Sequence, residues 1–323
     1  VVNSRNYWDP ILSQKISAPL LRADFHPPEL ELWNLQMVVS PLFRPSQLPI
    51  RLPDSGVQSV SVYDSRWMMS VPEVVSIGGV KHPLKYEVAA PSYPATWGAG
   101  GRLSASSLFG WDWSLSTYNG VESVPRMAVT ARGDASVAEL PMIVTLHPSY
   151  HRFWMFGFDG ESSYTIGDQQ IGVRFELAYT HRDNSRVGAA PSQHQSELRK
   201  NPFLLGVIGT DYTLPGRVWG TVMYANLQYV HEQRFGVEAK PGSIELIGLP
   251  TTQIWDRNLV LYVENRTDFG FKISQILMTS FKNWDAFWNP KGHYQFTDTF
   301  NMSFGPQLFM GNDNGFFGQF RDN

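Results

Sequence analysis

The stretch Ile171-Gly-Val-Arg-Phe-Glu-Leu-Ala-Tyr-Thr180 alternates strictly between apolar residues and polar or small ones. Side chains of a β-strand point to alternate faces of its sheet, so Ile171, Phe175 and Tyr179 share a wholly apolar face. Arg174 and Glu176 share the opposite face. A half-buried strand of a soluble sheet shows the same alternation. The stretch therefore predicts a strand. Whether each face contacts water, lipid or a protein core must be inferred from the rest of the chain.

A second alternating stretch, residues 217–231, favours a membrane. Trp219 and Tyr229 lie on one face with mostly apolar residues between them, and Asn226 and Gln228 lie on the other. From Trp219 to Tyr229 the strand spans roughly 33 Å at about 3.3 Å per residue. Tilted by about 40°, it reaches roughly 25 Å in height, which matches the apolar band of a transmembrane β-barrel with an aromatic residue at each rim.

The alternation recurs along the chain and predicts an all-β fold, a transmembrane antiparallel up-and-down β-barrel. Long and short connections alternate in the second half, as in a barrel with one wet outer face. We expect about 14–18 strands in the full protein. The other predicted strands are 20–25, 29–39, 97–106, 111–118, 143–150, 153–164, 203–214, 258–266, 271–281, 287–297 and 300–310.

Residues 40–94 interrupt the pattern with repeated prolines. A connection of this length is usually functional or disordered. The apolar residues Trp67, Met68 and Val74 favour a packed segment over a disordered one. We therefore predict one barrel domain over residues 1–323, with 40–94 as an extracellular loop or as an insertion that plugs or constricts the lumen. Residues 65–75 are expected to hold a short helix.

The composition supports a barrel and excludes several other classes. Charged residues make up 17% of the chain, below the usual quarter or so, and aromatic residues make up 14%. The mean hydropathy of −0.23 suits a barrel because half of each strand faces a polar lumen. The net charge of −3 and the lack of a basic run argue against nucleic-acid binding. The chain has no cysteine, which excludes disulfides, thiolate metal sites and a cysteine nucleophile.

The charged residues of the predicted strands fall on the face opposite the aromatic residues. Facing lipid, each Arg would cost up to about a few kcal/mol at the bilayer midplane, so we expect these side chains to line the lumen. The predicted lumen-lining residues are Arg22, Asp24, Arg102, Asp112, Asp159, Arg174, Glu176, Asp211, Glu264 and Arg266. The predicted lipid-facing or girdle residues are Trp33, Trp154, Phe156, Phe158, Phe175, Tyr179, Trp219 and Tyr229.

Three same-strand pairs of opposite charge indicate a charge-balanced lining: Arg22 with Asp24, Arg174 with Glu176, and Glu264 with Arg266. One interpretation is a lining that selects solutes electrostatically. The other is a network of salt bridges that fills the barrel. The sequence favours neither.

Motifs for catalysis or for metal and cofactor binding are lacking. There is no nucleophile elbow, phosphate-binding loop or dinucleotide fingerprint. His147 and His151 are four residues apart, but Pro148 between them spoils a helical metal-ligand spacing. Asp159 and Glu161 form a carboxylate pair on one strand face, which a solvated lumen explains more simply. We expect no enzymatic activity, no cofactor and no metal.

Several aromatic-rich phrases resemble a family of uncharacterised bacterial porin-like outer-membrane barrels. The resemblance covers the closing strands, the central strands and one earlier strand, and it transfers no catalytic motif. In that family a further strand follows the final phrase, and strands precede residues 3–10, which is why we expect a chain incomplete at its ends. The phrases are Trp288-Asn-Pro-Lys-Gly-His-Tyr-Gln-Phe-Thr-Asp298, Phe304-Gly305, Gly311-Asn-Asp-Asn-Gly-Phe-Phe-Gly-Gln-Phe-Arg-Asp-Asn323, Gly209-Thr-Asp-Tyr-Thr213, Asn226-Leu-Gln-Tyr229, and Pro94-Ala-Thr-Trp97 before Gly101-Arg-Leu103.

These observations predict an outer-membrane protein of a Gram-negative bacterium, in contact with outer-membrane lipid and lipopolysaccharide. The first expectation is a porin-like channel for small or extended polar solutes. The alternative is a non-conducting barrel that anchors or scaffolds a cell-envelope assembly for secretion, polysaccharide export or surface motility, with envelope proteins bound to its long loops. A soluble carbohydrate-binding or hydrolytic β-protein is a third hypothesis, against which the low charge argues.

Overall fold

The alternating stretches of the sequence form strands in the computed structural model of this chain. In the part of the chain that the structure describes there is no α-helix, and so no helix long and apolar enough to cross a membrane. The described residues are 5–6, 14–15, 19–44, 50–51, 69–70, 74–77, 80–90, 97–122, 126–133, 141–167, 169–182, 202–214, 221–235, 257–267, 270–282, 284–297, 299–311 and 317.

The described strands follow one another along the chain, from two-residue pieces near the amino terminus to strands of up to 15 residues in the middle. They are β1 (Arg5–Asn6), β2 (Gln14–Lys15), β3 (Leu21–Phe25), β4 (Trp33–Ser40), β5 (Ile50–Arg51), β6 (Met69–Ser70), β7 (Val74–Ile77), β8 (Val80–Val88), β9 (Gly98–Leu108), β10 (Trp111–Val121), β11 (Arg126–Arg132), β12 (Met142–Ser149), β13 (Arg152–Ile166), β14 (Gln169–Arg182), β15 (Phe203–Thr213), β16 (Thr221–Arg234), β17 (Asn258–Thr267), β18 (Phe271–Ser280), β19 (Asp285–Gln295), β20 (Asn301–Phe304) and β21 (Leu308–Met310).

Most of these strands belong to one 13-stranded sheet, which we call the main sheet. Its order is β20-β19-β18-β17-β16-β15-β14-β13-β10-β9-β4-β3, and β21 pairs with β19 beyond the end of β20. Every pairing in the main sheet is antiparallel. The predicted all-β, antiparallel up-and-down architecture is confirmed, and among the described strands the two edges, β3 and β20, are not paired with each other.

The connections differ at the two ends of the main sheet. One end, the short-turn end, carries the turns after β9, β13, β17 and β19. The other end, the long-loop end, carries residues 41–97, 122–151, 183–202 and 235–257, with 281–284 as its one short connection between described strands of the main sheet. Long and short connections therefore sit at opposite ends, as the alternation along the second half of the sequence predicted.

Neighbouring strands are staggered in one direction across the main sheet. A row of directly opposed residues starts at Asp112, beside the short-turn end of β10, and passes through Glu161 and Arg174. The same row continues through Val260 and reaches Phe287, near the long-loop end of β19. A one-way stagger of this kind belongs to tilted strands and is the geometry that closure into a barrel requires.

A second sheet of four strands, in the order β11-β12-β8-β7, is built from two connections of the long-loop end. Here β12 pairs with β8 in parallel, and Val144 and Tyr86 are opposed and buried. Burial raises the pKa of the Tyr86 hydroxyl. The prediction of 143–150 as a barrel strand is therefore wrong. Both connections leave neighbouring hairpins at the same end, which brings β8 and β12 together.

The predicted helix over residues 65–75 is also wrong for its described residues, where β6 and the beginning of β7 are strands. Val74, Val75 and Ile77 are β-branched, and such side chains favour extended backbone. The described strands β7 and β8 place part of 40–94 in the second sheet. Its role as a plug or constriction stays a prediction.

Candidate functional site: the polar face of the main sheet

The strand register divides the main sheet into two faces. Opposed residues of an antiparallel pair lie on the same face, and the pairings Asp24–Gln36, Gln36–Arg102 and Ser114–Asp159 begin to link the charged positions from strand to strand. Followed across the sheet, the register brings all the predicted lumen-lining residues to one face, which we call the polar face: Arg22, Asp24, Arg102, Asp112, Asp159, Arg174, Glu176, Asp211, Glu264 and Arg266.

The predicted lipid-facing residues lie on the opposite, apolar face. By register they are Trp33, Trp154, Phe156, Phe158, Phe175, Tyr179 and Tyr229, and Trp219 lies outside the described residues. Large side chains here are half exposed, for example Phe156 at 52% and Ile208 at 58%. In the described strands of the main sheet, Arg152 is the one Asp, Glu, Lys or Arg on this face.

Arg152 stands at the long-loop end of β13, away from the middle of the apolar face. Its Nη1 donates a hydrogen bond to the backbone oxygen of Trp97 at 3.2 Å. Its guanidinium carbon lies 4.7 Å from the centre of the Trp97 ring. A guanidinium held against an aromatic ring at a strand end is typical of an interface between an apolar band and water.

Aromatic rings of the apolar face pack edge-on and over glycines. Trp33 and Trp113 make an edge contact with ring centres 5.4 Å apart. The Phe175 ring covers Gly160, where an added Cβ would lie 2.7 Å from a ring carbon. Glycine is therefore required beneath this ring, and the face remains continuous across the strands.

The first polar group joins strands β3 and β4. Arg22 donates to both oxygens of Asp24, at 2.7 and 2.9 Å, and Gln36 donates to Asp24 at 2.9 Å. The predicted same-strand pair therefore forms. All three side chains remain accessible to solvent at the edge of the main sheet.

The second polar group joins β9, β10 and β13. Arg102 donates from Nε to Ser114 at 2.8 Å and from Nη2 to Asp159 at 2.9 Å. The buried Ser114 hydroxyl donates to the other Asp159 oxygen at 2.5 Å. Both oxygens of Asp159 are thus occupied, whereas Glu161 has no hydrogen bond or ion pair to another described residue.

The third group lies on β14 and β16. Arg174 donates to the Asn226 side-chain oxygen at 3.1 Å, and Gln228 donates to the same oxygen at 2.6 Å. The predicted pair of Arg174 with Glu176 does not form, because the guanidinium reaches across β15 instead. Glu176 and Asp211 have no hydrogen bond or ion pair among the described residues.

Asp112 has a local role as well as a place on the polar face. Its Oδ1 accepts a hydrogen bond from the backbone N–H of Ser107 at 2.5 Å, across the turn between β9 and β10. Ser107, Phe109 and Gly110 have positive φ values of 55°, 57° and 79° in this turn. Asp112 therefore anchors a strained turn.

The fourth group surrounds Glu264 on β17. Its Oε1 accepts a hydrogen bond from Arg266 at 2.7 Å, and its Oε2 accepts one from the Tyr262 hydroxyl at 2.5 Å. The Lys272 ammonium lies 3.3 Å from Oε2. Beside it, His293 is hydrogen-bonded to Ser274 at 3.1 Å and to Ser303 at 2.6 Å.

Four members of this last group were not singled out from the sequence: Tyr262, Lys272, Lys291 and His293. The signal is present, because Phe271-Lys-Ile-Ser alternates and puts Lys272 and Ser274 on the face opposite Ile273. The register brings Lys272 opposite Arg266 and Lys291 opposite Ser274. The contacts among them depend on this register, which alternation alone leaves open.

The polar face becomes apolar toward the long-loop end of β17 to β21. There Met278, Phe287, Phe309 and Phe317 form a buried cluster, and Phe287 is fully buried. The Phe317 backbone N–H donates to Asp285 at 2.6 Å, which holds Phe317 in place against the cluster. The polar surface is thus bounded at this end by packed side chains.

Among the described residues, no group of three His, Asp or Glu side chains is placed so that it could bind a metal ion. Comparisons of the chain with protein-family models, curated proteins and solved structures found no match. The arrangement offers hydrogen bonds and fixed charges along an extended surface, which suits binding and electrostatic selection of solutes.

Proposed function

We propose that this chain is a transmembrane β-barrel of the bacterial outer membrane, with the apolar face toward lipid and the polar face toward the lumen. The separation of charge between the faces carries the proposal. Apart from Arg152, every Asp, Glu, Lys and Arg of the described main-sheet strands falls on the polar face by register.

The exposed apolar face supports the same proposal. Monomeric soluble proteins rarely expose apolar patches larger than about a few hundred Å². Here half-exposed side chains continue from Phe25 on β3 through Leu177 on β14 to Phe304 on β20. In a bilayer this band meets hydrocarbon, and the partners are outer-membrane lipid and lipopolysaccharide.

Within the barrel we infer a porin-like channel for small or extended polar solutes. The Arg side chains near the middle of the polar face stay in contact with solvent: Arg102 and Arg266 are 49% and 68% exposed. A packed interior would enclose these charged groups without water, and such burial is expensive. Their exposure favours a lumen that contains water, and the proposal assigns the chain no catalytic role.

A second candidate is a non-conducting barrel that anchors or scaffolds a cell-envelope assembly. The buried cluster of Phe287, Phe309 and Phe317 favours it, because these side chains cover the polar face near the long-loop end. Long connections at that end offer surface for envelope proteins, in secretion, polysaccharide export or surface motility.

The deciding experiment is single-channel recording of the purified chain in planar bilayers. We expect stable, ohmic conductance steps whose ion selectivity changes when Arg102 is replaced by Gln, since this removes a solvated charge from the polar face. Insertion without conductance would overturn the channel and support the scaffold. Solubility without detergent and failure to insert would overturn the membrane proposal itself.

A further inference from the structure

We propose that the polar face carries an anion-binding site, the basic patch, formed by Arg266, Lys272 and Lys291 beside Glu264 and His293. It would take the carboxylate or phosphate group of a solute in the lumen. The inference rests on the proposed channel for its biological role, because a solute reaches the patch through the lumen.

The basic patch is a small grid on three neighbouring strands. Glu264 on β17 is opposite Ser274 on β18, which is opposite Lys291 on β19. In the adjoining row Arg266 is opposite Lys272, which is opposite His293. Directly opposed like charges destabilise a sheet, so Arg266 beside Lys272 is a costly arrangement that calls for a counter-ion.

Glu264 alone does not supply enough negative charge. Arg266 and Lys272 both contact this one carboxylate, and Lys291 lies on the strand beyond, opposite Ser274. Three cations against one carboxylate leave an excess of two positive charges in these two rows. Both Glu264 oxygens are already engaged by Arg266, Lys272 and Tyr262. The carboxylate side chain is only 13% exposed and has little capacity left.

The donors that remain point to a ligand from solvent. Arg266 is 68% exposed and uses one of its nitrogens on Glu264. Lys291 has no hydrogen bond or ion pair among the described residues. A planar guanidinium beside flexible ammonium groups matches the oxygens of a carboxylate or a phosphate.

The excess of positive charge is local. On β13 to β15 the same face carries Arg174, but also Glu161, Glu176 and Asp211, none of which has an ion pair to another described residue. An anion is therefore repelled from that part of the face and attracted to the basic patch. Separations beyond about 10 Å are screened by salt, so the binding preference is decided by the patch itself.

The test uses the full chain in planar bilayers with inorganic phosphate as the probe. We expect phosphate to reduce the chloride conductance reversibly. In the double variant Lys272→Gln with Lys291→Gln, the phosphate concentration that halves the chloride conductance should rise about tenfold, since two charged donors are lost. The matched control is Lys81→Gln with Lys85→Gln, which removes two exposed lysines from β8 and should leave the phosphate dependence unchanged.

A second measurement separates this inference from the channel. Calorimetric titration of the detergent-solubilised chain with phosphate reports binding whether or not the lumen conducts. Binding weakened by the patch variant but not by the control supports the site even if conductance fails. A conducting chain that phosphate neither blocks nor binds, or equal weakening in both double variants, would overturn the basic patch and leave the channel standing.

Discussion

Glu264 is the residue on which the fourth polar group depends, because its carboxylate pairs with two directly opposed cations, Arg266 and Lys272. In Glu264→Gln the charge is lost while the size is kept, and Arg266 and Lys272 then face each other without a counter-ion. We expect a loss of about 1–2 kcal/mol in the free energy of unfolding. This is near the low end of the range for removing one partner of a charged hydrogen bond, because Arg266 is well solvated. Urea denaturation in detergent micelles measures it.

Glu161→Gln is the matched control at the residue scale. Glu161 is exposed and has no hydrogen bond or ion pair among the described residues, so the change should stay within about 0.5 kcal/mol. Equal losses in the two variants would show that Glu264 does not hold the group together.

At the residue scale, alternation indicates the face of a side chain but not its partner. The structure brings the ten charged positions to one face (Arg22 to Arg266), since this needs only a period of two. Arg174 bonds to Asn226 rather than to Glu176, and Asp112 bonds to a turn amide. Such choices depend on register, rotamer and turn conformation, which the sequence pattern does not contain.

At the element scale, Asp112 accepts a hydrogen bond across the turn between β9 and β10, and Ser162 donates another to the Gly110 backbone oxygen. Asp112→Ala removes the acceptor of the Ser107 N–H while the positive φ values of the turn remain. We expect a loss of about 1–2 kcal/mol in unfolding free energy, as for a lost side-chain cap on a backbone donor. Asp112→Asn keeps an acceptor oxygen and should lose less than half as much in the same denaturation assay. Similar losses for Ala and Asn would contradict the anchoring role.

Two glycines of the apolar face offer a matched test of ring packing. An alanine Cβ at Gly160 would lie 2.7 Å from the Phe175 ring, whereas at Gly101 its nearest neighbour would be 3.6 Å away. We expect Gly160→Ala to destabilise the fold by about 1 kcal/mol through displacement of the ring. Gly101→Ala should be neutral or stabilising by up to about 1 kcal/mol.

Tryptophan fluorescence during urea unfolding measures both glycine variants, since Trp111 lies 5.8 Å from the Phe175 ring. The opposite order of stability, with Gly101→Ala the weaker protein, would contradict the contact between Phe175 and Gly160.

The elements were predictable where neighbours in sequence are neighbours in space. Strands β13 to β19 follow one another by hairpins, so local alternation and turn signals located them. Strand β12 was misplaced because its partner β8 lies far back in the chain and pairs with it in parallel. A distant pairing leaves no local signal. The helix predicted over 65–75 failed for a local reason, since its β-branched residues favour extended backbone.

At the scale of the whole molecule, the stagger of the strands explains the apolar cluster on the polar face, which the alternation of the sequence did not predict. A row that is charged at Asp112 and Glu161 becomes apolar by Met278 and Phe287, because it climbs from the short-turn end to the long-loop end. The polar face is therefore polar across its middle and apolar near the long-loop end, where the buried cluster lies. The sequence predicts the two faces, but the buried cluster on the polar face depends on a register that accumulates over many strands.

The membrane proposal itself is decided by two adjacent residues of β14. Leu177 lies on the apolar face opposite Phe158 and Gly206, and Glu176 lies on the polar face opposite Asp159. In lipid, Leu177→Arg should cost about 2–4 kcal/mol near the bilayer midplane, while Glu176→Arg meets water and Asp159 and should cost less than about 1 kcal/mol. Urea-dependent folding into phospholipid vesicles measures both. In a soluble sheet Leu177, already 43% exposed, would accept Arg within about 0.5 kcal/mol, so equal stabilities of the two variants would place the apolar face in water instead of lipid.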